Sequence, residues 1–396
     1  MSGTKGLSIA IIGGGASAAL VLAHLARQPH AGKIARITIS DREGLFARGV
    51  AYSTKNPVHL LNVRANSMSA FPAEADHLVL WLKENGHVYK ETDFIPRMVY
   101  AQYLQHLWDD AFSGLKAGGC VVDLSEKNIQ KSDADITVMA TGNAVPVAPR
   151  GAENLSEKDG YHAHPWNIDY GKVTGDVIVA GTGLSMIDTV MALHAFGFTG
   201  NITAISRNGL IPAAHVDPAS YPPFFDNEFP KTVLGLLREI RTYVAKAEQK
   251  NIPWQAVIDS LRAATNPIWL SLSEKEKAKM RRLMPFWNIH RHRMASEVAD
   301  VIGKLKTSSQ LKIIKDRIEN VAKGIAVTGR KGTYKAGTVI NCLGYKSDKS
   351  FIYRPGMEKE GFFALGPVLS DYYFETTAMP EIRVQAERVA KEILQR

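Results

Sequence analysis

The sequence predicts an α/β fold with two Rossmann-like dinucleotide-binding domains, and three observations lead to this prediction. Two glycine-rich turns, at 13–15 and 181–183, each follow a short apolar strand. Each turn is followed by an apolar helical stretch. A strand, a Gly-x-Gly turn and a helix in this order form the binding site of a dinucleotide pyrophosphate. Short strand patterns return after residue 310. We therefore expect a discontinuous first domain with the second domain inserted into it.

The composition is that of an ordinary globular protein. The 396 residues are 45% apolar and 22% charged, which suits two domains. No apolar run reaches the roughly 18 residues of a membrane span, and no signal-peptide pattern precedes the first strand.

Cys120 and Cys342 form no Cys-x-x-Cys pair, which fits a reducing cytoplasm and disfavours a disulfide reductase. The net charge of +9 is scattered, so we expect no nucleic-acid partner.

The first fingerprint carries the expected features of an FAD or NAD site. Gly13 makes the tight turn after the strand at 7–12, and Gly15 lets backbone N–H groups approach a pyrophosphate. The second strand, at 35–41, ends in Asp41, 26 residues after Gly15. A carboxylate there accepts hydrogen bonds from ribose hydroxyls and repels a 2′-phosphate. The alternative is a surface acid at a strand end.

The middle of the first domain is expected to be mostly loop and helix. The segment 49–72 has little periodicity, and helical patterns follow at 75–85 and 97–114. An apolar strand over 134–143 closes with Thr141 and Gly142, both predicted to contact the cofactor.

The second fingerprint carries features that suit NADPH. Its strand at 201–206 ends in Ser206-Arg207, where the first site has an acid. A hydroxyl and a guanidinium suit a 2′-phosphate, so Gly181, Gly183, Ser185 and Arg207 are the predicted NADPH-binding residues. The alternative for Arg207 is a solvated strand-end side chain.

The domain boundaries are expected near residues 160 and 325. The first domain would comprise 1–160 and 325–396, and the second 161–324 with a helical insertion over about 230–305. Strands are expected near 311–315, 324–328 and 336–341. We assign the last of these, and a final helix starting at Pro380, to the first domain.

The order of these features resembles the two-dinucleotide flavoproteins, and more narrowly the YdhS-like FAD/NAD(P)-binding proteins. The narrower resemblance is carried by the segments at 49–52, 59–63, 68–69, 164–166, 206–207, 287–293 and 375–383. The layout is more distantly similar to flavin-dependent N-hydroxylases of lysine and ornithine. The resemblance implies FAD and NADPH as cofactors, and it adds Asn62, Arg64, Ser67 and Met68 from a loop beneath the flavin ring.

The remaining candidates lie at helix ends and in a basic cluster. Ser17 joins the FAD set as part of the first fingerprint. The start of the last helix, at Met379, would aim its positive end at the flavin N1–C2=O region, unless it is only a packing helix. Arg291, His292 and Arg293 would supply further phosphate contacts, unless they are a solvated surface.

Three functions remain open at this point. The first is an NADPH-dependent flavin monooxygenase that uses oxygen to hydroxylate a small polar substrate, such as an amine. The second is an NAD(P)H-dependent flavin reductase or dehydrogenase, and the third a flavin-binding protein without catalysis. No catalytic side chain, metal-ligand spacing or oligomeric state can be assigned from the sequence.

Overall fold

Two parallel sheets with matching strand order organise the computed structural model of this chain. The structure describes residues 6–29, 31–127, 133–143, 145–166, 168–225, 228–323, 326–346 and 351–396. The chain divides into a first unit, Met1–Pro57, Val63–Val145 and Lys346–Arg396, and a second unit, Val58–Asn62 and Pro146–Tyr345.

The elements of the described ranges are as follows, in chain order. The strands are β1 Leu7–Ile12, β2 Ile34–Ser40, β3 Val121–Ser125, β4 Ile136–Met139, β5 Tyr161–His162, β6 Val177–Ala180, β7 Ile202–Ser206, β8 Leu311–Lys315, β9 Ile318–Ala322, β10 Ala326–Gly329, β11 Thr333–Lys335, β12 Thr338–Asn341 and β13 Phe362–Ala364. The helices are α1 Ala16–Ala26, α2 Gly49–Tyr52, α3 His77–Glu84, α4 Arg97–Ala117, α5 Leu184–Ala195, α6 Val233–Glu248, α7 Trp254–Ser260, α8 Arg262–Ser271, α9 Glu274–Arg291, α10 Ser296–Thr307 and α11 Met379–Leu394.

The first unit is built on a parallel sheet of order β13-β4-β1-β2-β3. Helix α1 packs against both α4 and α11. Every residue from Ala16 to Leu25 is buried, which is the burial expected of a helix that is apolar on all sides. The amphipathic α11 buries one face, so the C-terminal end of the chain completes the core that begins at the N-terminal end.

The second unit repeats this plan with the order β5-β12-β6-β7-β8, again parallel throughout. Strands β9 to β11 form a small antiparallel sheet. Helices α6 to α9 surround an apolar cluster of their own, which includes Phe225, Leu236 and Leu261. The two parallel sheets confirm the predicted α/β fold. Among the helices of the described ranges, none combines the length and apolar composition needed to cross a bilayer.

The strand at 338–341 belongs to the second sheet, which corrects its assignment to the first domain. It pairs with β6 in the way that β4 pairs with β1. The N–H of Cys342 donates to the carbonyl of Ala180 at 2.7 Å, as Ala140 donates to Ile12 at 2.7 Å. The division of the chain therefore lies at 145 and 346, and not at the expected 160 and 325. The first sheet ends instead in β13, which the sequence patterns did not indicate.

Candidate functional site

The two fingerprint turns have the same local geometry. Gly13 has a φ of +98° and Gly181 a φ of +112°. Their N–H groups donate to the carbonyls of Ser40 and Ile205, each at 2.8 Å. A Cβ built on either glycine would lie 2.3 Å from a backbone oxygen, of Ala140 in the first unit and of Cys342 in the second. Both positions therefore require glycine, for the positive φ and for the close approach of the neighbouring strand.

Within the described part of the chain, each turn has unpaired backbone donors at the start of its helix. Gly15 and Gly183 are the extended N-cap residues of α1 and α5. Among the described residues, no acceptor faces the N–H groups of Gly15, Ala16 and Ser17, or those of Gly183, Leu184 and Ser185. Such unpaired donors at a helix N-terminus are the partners of a phosphate, so both turns fit a pyrophosphate. The predicted residues Ser17 and Ser185 lie on these two first turns.

The two units differ in the side chain that follows the second strand. In the first unit, Asp41 accepts hydrogen bonds from the backbone N–H groups of Gly14 and Glu43, both at 3.0 Å. The register of the two turns places Ser206, and not Arg207, at the position equivalent to Asp41. An acid in the first unit and a neutral hydroxyl in the second are what separate a ribose site from a 2′-phosphate site.

The hydroxyl of Ser206 is used within the protein, so it is not the phosphate donor that the sequence suggested. Thr182 has one hydroxyl hydrogen, and the carbonyl of Leu210 next to it can only accept. Thr182 therefore donates to Leu210 and accepts from Ser206 at 2.8 Å, while Gly209 donates its N–H to Ser206. Arg207 is exposed and has no partner among the described residues. Of the two residues predicted to meet a 2′-phosphate, Arg207 is therefore the one whose side chain is not engaged within the described ranges.

Replacing Arg207 by alanine is expected to weaken NADPH binding by roughly ten- to hundredfold and to leave NADH binding nearly unchanged. The reason is the loss of one charge-assisted phosphate contact, worth on the order of 1.5–3 kcal/mol. Titrations of both nucleotides measure the effect, and Arg317→Ala, another exposed strand-end arginine, is the control. Equal losses for both nucleotides would assign Arg207 a structural role.

The predicted flavin loop is held in place by its own side chains. Arg64 donates to the carbonyl of Thr92, and its guanidinium lies 4.7 Å from the ring centre of Phe94. Arg64 therefore stabilises the conformation of the loop and also places a positive charge on it. Ser67 donates to the side chain of Asn66 at 3.1 Å.

Met68 is buried, and the Tyr100 hydroxyl donates to its carbonyl at 3.0 Å. Burial raises the pKa of Tyr100 well above its usual value, so the hydroxyl keeps its proton and remains a donor. Asn62 departs from this group, because it clusters with the second unit.

The turn after β13 connects the last helix to the first turn of α1. Met379 is buried at the start of α11. Gly366, with a φ of +76°, faces Ser17, and a Cβ there would lie 2.9 Å from the Ser17 hydroxyl. The N–H of Gly366 donates to Gln385 at 2.7 Å, and the Thr376 hydroxyl donates to its carbonyl at 2.9 Å. Gly366 and Gln385 were not predicted, because short motifs do not reveal contacts between distant segments.

Arg383 is a further residue that sequence reasoning missed. Its Nη1 donates to the carbonyl of Ser69 at 3.0 Å, so it ties α11 to the end of the flavin loop. Burial lowers the pKa of Arg383, and its buried Nε has no partner among the described residues. A half-buried cation thus lies beside two of the segments predicted to hold FAD.

Thr141 and Gly142 follow β4 on an open turn. Gly142 has a φ of +68° and nothing within 4 Å of a built Cβ, while Thr141 is exposed. Gly344, with a φ of +86°, is the counterpart in the second unit. The repeat therefore extends from the fingerprint turns to the turns after β4 and β12.

The basic cluster at 291–293 is not the phosphate-binding surface that the sequence suggested. Arg291 and Arg293 are both buried. Arg293 lies 2.6 Å from the carboxylate of Asp259, and Arg291 3.7 Å from it. Two buried arginines that share one carboxylate hold the helical insertion together and are not available to a ligand. Within the described ranges no group of three His, Cys, Asp or Glu side chains is placed to hold a metal.

Neither cysteine has an environment that favours the thiolate form. Burial raises the pKa of Cys342 to about 12, and its Sγ lies 3.4 Å from the Thr189 hydroxyl. Burial also raises the pKa of Cys120. A reactive cysteine needs a lowered pKa and access to solvent, and neither of these buried thiols has them.

Comparison with known proteins finds one family match, and it lies in the first part of the chain. Residues 10–145 match a family described as FAD-NAD(P)-binding. This range contains the first fingerprint, Asp41 and the Thr141-Gly142 turn. Among proteins of curated function, none matches this sequence.

Solved structures of low sequence identity share the fold over nearly the full chain. Ornithine N-hydroxylase KtzI from Kutzneria sp. 744, with reduced FAD, NADP⁺ and L-ornithine, has a TM-score of 0.62 at 13% identity, covering 98% of this chain and 99% of that one. Ornithine hydroxylase PvdA from Pseudomonas aeruginosa has a TM-score of 0.61 at 12% identity, with the same coverage. Bacillithiol disulfide reductase Bdr from Staphylococcus aureus has a TM-score of 0.56 at 11% identity and 99% coverage of both chains. The chain thus has the fold of flavoproteins that bind two dinucleotides.

Proposed function

We propose that this protein is an FAD- and NADPH-dependent oxidoreductase, and specifically a monooxygenase that hydroxylates a small polar substrate. The observation that carries the proposal is the duplicated turn. One geometry occurs twice, first with an acid that suits the ribose of FAD and then with a neutral hydroxyl and a free arginine that suit NADPH. The match of residues 10–145 to the FAD-NAD(P)-binding family supports FAD in the first unit.

The residues of the chain bind and orient the two cofactors. In the first unit, the donors at Gly15 to Ser17 would hold the FAD pyrophosphate and Asp41 a ribose. In the second unit, the donors at Gly183 to Ser185 would hold the NADPH pyrophosphate and Arg207 its 2′-phosphate. A bound flavin supplies electron transfer from nicotinamide and the activation of oxygen. The positive end of α11, near Met379, would stabilise negative charge on the flavin's pyrimidine edge.

The likeness to two ornithine hydroxylases makes an amine nitrogen the first substrate class to test. The likeness to a bacillithiol disulfide reductase favours a second candidate, a reductase that passes electrons to an external acceptor. The buried, high-pKa cysteines argue against a route through the chain's own thiols. The proposal includes membership of the YdhS-like proteins. It also includes a small-molecule substrate and the use of oxygen, and it includes no nucleic-acid partner.

The test is NADPH oxidation in air, with and without a panel of small amines. A monooxygenase consumes one NADPH, one proton and one O₂ for each hydroxylated product and one water. We expect an amine that raises the rate and yields product in proportion to NADPH. Hydrogen peroxide as the sole product, at a rate that no amine changes, would favour the reductase. Bound flavin that NADPH does not reduce would favour a binding protein.

A further inference from the structure

A closed ring of hydrogen bonds holds Gly366, two residues after β13, within the first unit. The N–H of Gly366 donates to Oε1 of Gln385 at 2.7 Å, and Nε2 of Gln385 lies 2.9 Å from the hydroxyl oxygen of Thr376. The Thr376 hydroxyl lies 2.9 Å from the carbonyl oxygen of Gly366. Leu365 donates its N–H to the carbonyl of Met139 at 3.1 Å, so the contact with β4 continues up to the ring.

The donor in each contact of the ring is determined by its partner. A backbone N–H can only donate, so Oε1 and not Nε2 of Gln385 faces Gly366. A backbone carbonyl can only accept, so Thr376 donates its one hydroxyl hydrogen to Gly366 and accepts from Nε2 of Gln385. Thr376 is 1% exposed. Both backbone groups of Gly366 are thus engaged by side chains, which fix the position of this residue.

The ring holds Gly366 against the first turn of α1. A Cβ built on Gly366 would lie 2.9 Å from the Ser17 hydroxyl, so the Gly366 backbone packs directly on that side chain. Ser17 is 6% exposed, and its hydroxyl has no hydrogen-bond partner among the described residues. A helical side chain leans toward the N-terminus of its helix, which places this hydroxyl on the side of the unpaired N–H groups of Gly15 and Ala16. A buried hydroxyl without a partner costs free energy, which a phosphate oxygen recovers.

The two fingerprint turns differ in how closely other segments approach them. Gly15 also lies against Gly49, because a Cβ built on Gly15 would lie 3.0 Å from the Cα of Gly49. In the second unit, Gly183 is exposed, and no described residue lies within 4 Å of a Cβ built on it. Ser185 is only half-buried. Within the described ranges, the first turn is therefore enclosed by its own unit and the second turn is open.

We propose that Gln385 is a positioning residue, which holds Gly366 against the first turn of α1 and thereby slows the release of the dinucleotide bound there. This inference rests on the proposed function, because it takes FAD as that dinucleotide. A phosphate that leaves the turn exchanges its hydrogen bonds for bonds to water, and the Gly366 backbone blocks one approach of water to the Ser17 hydroxyl. Affinity differences among variants of one site arise mainly in the dissociation rate, so Gln385 should act on that rate.

The rate of FAD release after dilution, followed by ultrafiltration, tests the inference. Gln385→Leu and Thr376→Val each remove two of the three hydrogen bonds of the ring, whereas Thr376→Ser keeps the hydroxyl and all three. We expect the first two variants to release FAD about five- to tenfold faster, and Thr376→Ser to stay within about twofold of the wild-type rate. The two ³¹P signals of bound FAD should shift in Gln385→Leu. Gln395→Leu, the same substitution at the exposed end of α11, is the control and should change neither readout.

An unchanged release rate in a folded Gln385→Leu protein overturns the inference, and so does an equal change in Thr376→Val and Thr376→Ser. Failure of the wild-type protein to take up FAD would instead overturn the proposed function, and it shows before any variant is compared. If Gln385→Leu does not fold, hydrogen exchange of the wild-type protein with and without FAD decides the question. A Gly366 amide whose exchange slows when FAD binds supports the inference, and one whose exchange FAD leaves unchanged overturns it.

Discussion

Gly13→Val is expected to abolish FAD binding. The turn requires a positive φ at this position, which valine does not tolerate. The Cβ of the valine would also lie 2.3 Å from the carbonyl oxygen of Ala140. Relief of that clash must move the turn whose backbone donors face the pyrophosphate. The flavin absorbance per mole of purified protein measures the effect.

The matched control is Gly181→Val, which makes the same change in the second unit. Its φ of +112° and the 2.3 Å approach of its Cβ to the carbonyl oxygen of Cys342 produce the same kind of clash. This variant should lose NADPH binding and keep FAD. Thermal unfolding of both variants shows whether the rest of each unit remains folded. Full flavin absorbance in Gly13→Val would exclude the first turn as the FAD site.

Ending the chain at Tyr345 is expected to destroy FAD binding, although the first fingerprint stays intact. The cut removes β13, which pairs with β4, and α11, which packs on α1. Helix α11 alone buries Met379, Ile382, Val389, Ile393 and Leu394. Each such side chain contributes about 1.5–3 kcal/mol on burial, and the sum is comparable to the stability of a whole domain, about 5–15 kcal/mol.

A chain ending at Leu394 is the control, because it removes only the exposed Gln395 and Arg396. It should bind FAD like the full chain. The measurements are circular dichroism and the ratio of flavin to protein after gel filtration. A fragment of residues 1–345 that folds and holds one FAD would show that the C-terminal segment is an appendage.

The sequence predicted the parts of the fold that local patterns determine. A strand, a glycine turn and a helix are adjacent in the chain, so the positions of Gly13, Gly15, Gly181 and Gly183 follow from spacing alone. The membership of β12 in the second sheet depends on pairing between strands far apart in sequence. Strand β13 has only three residues and no alternation, so no pattern marked it.

The site residues divide in the same way. Asp41 and Arg207 are predictable because they follow a strand that follows a fingerprint. The burial of Arg291 and Arg293 is not predictable, because a run of basic residues is equally typical of a solvated surface. Arg383 donates to the carbonyl of Ser69, a residue far away in sequence, and backbone acceptors have no signature in a sequence.

An anaerobic titration of the FAD-loaded protein with NADPH, compared with NADH, tests the central claim most directly. The claim is that one chain holds FAD in the first unit and NADPH in the second. We predict one FAD for each chain, loss of its visible absorbance on addition of one equivalent of NADPH, and a higher concentration requirement for NADH. A protein that takes up no FAD, or whose bound FAD neither nucleotide reduces, would contradict the account.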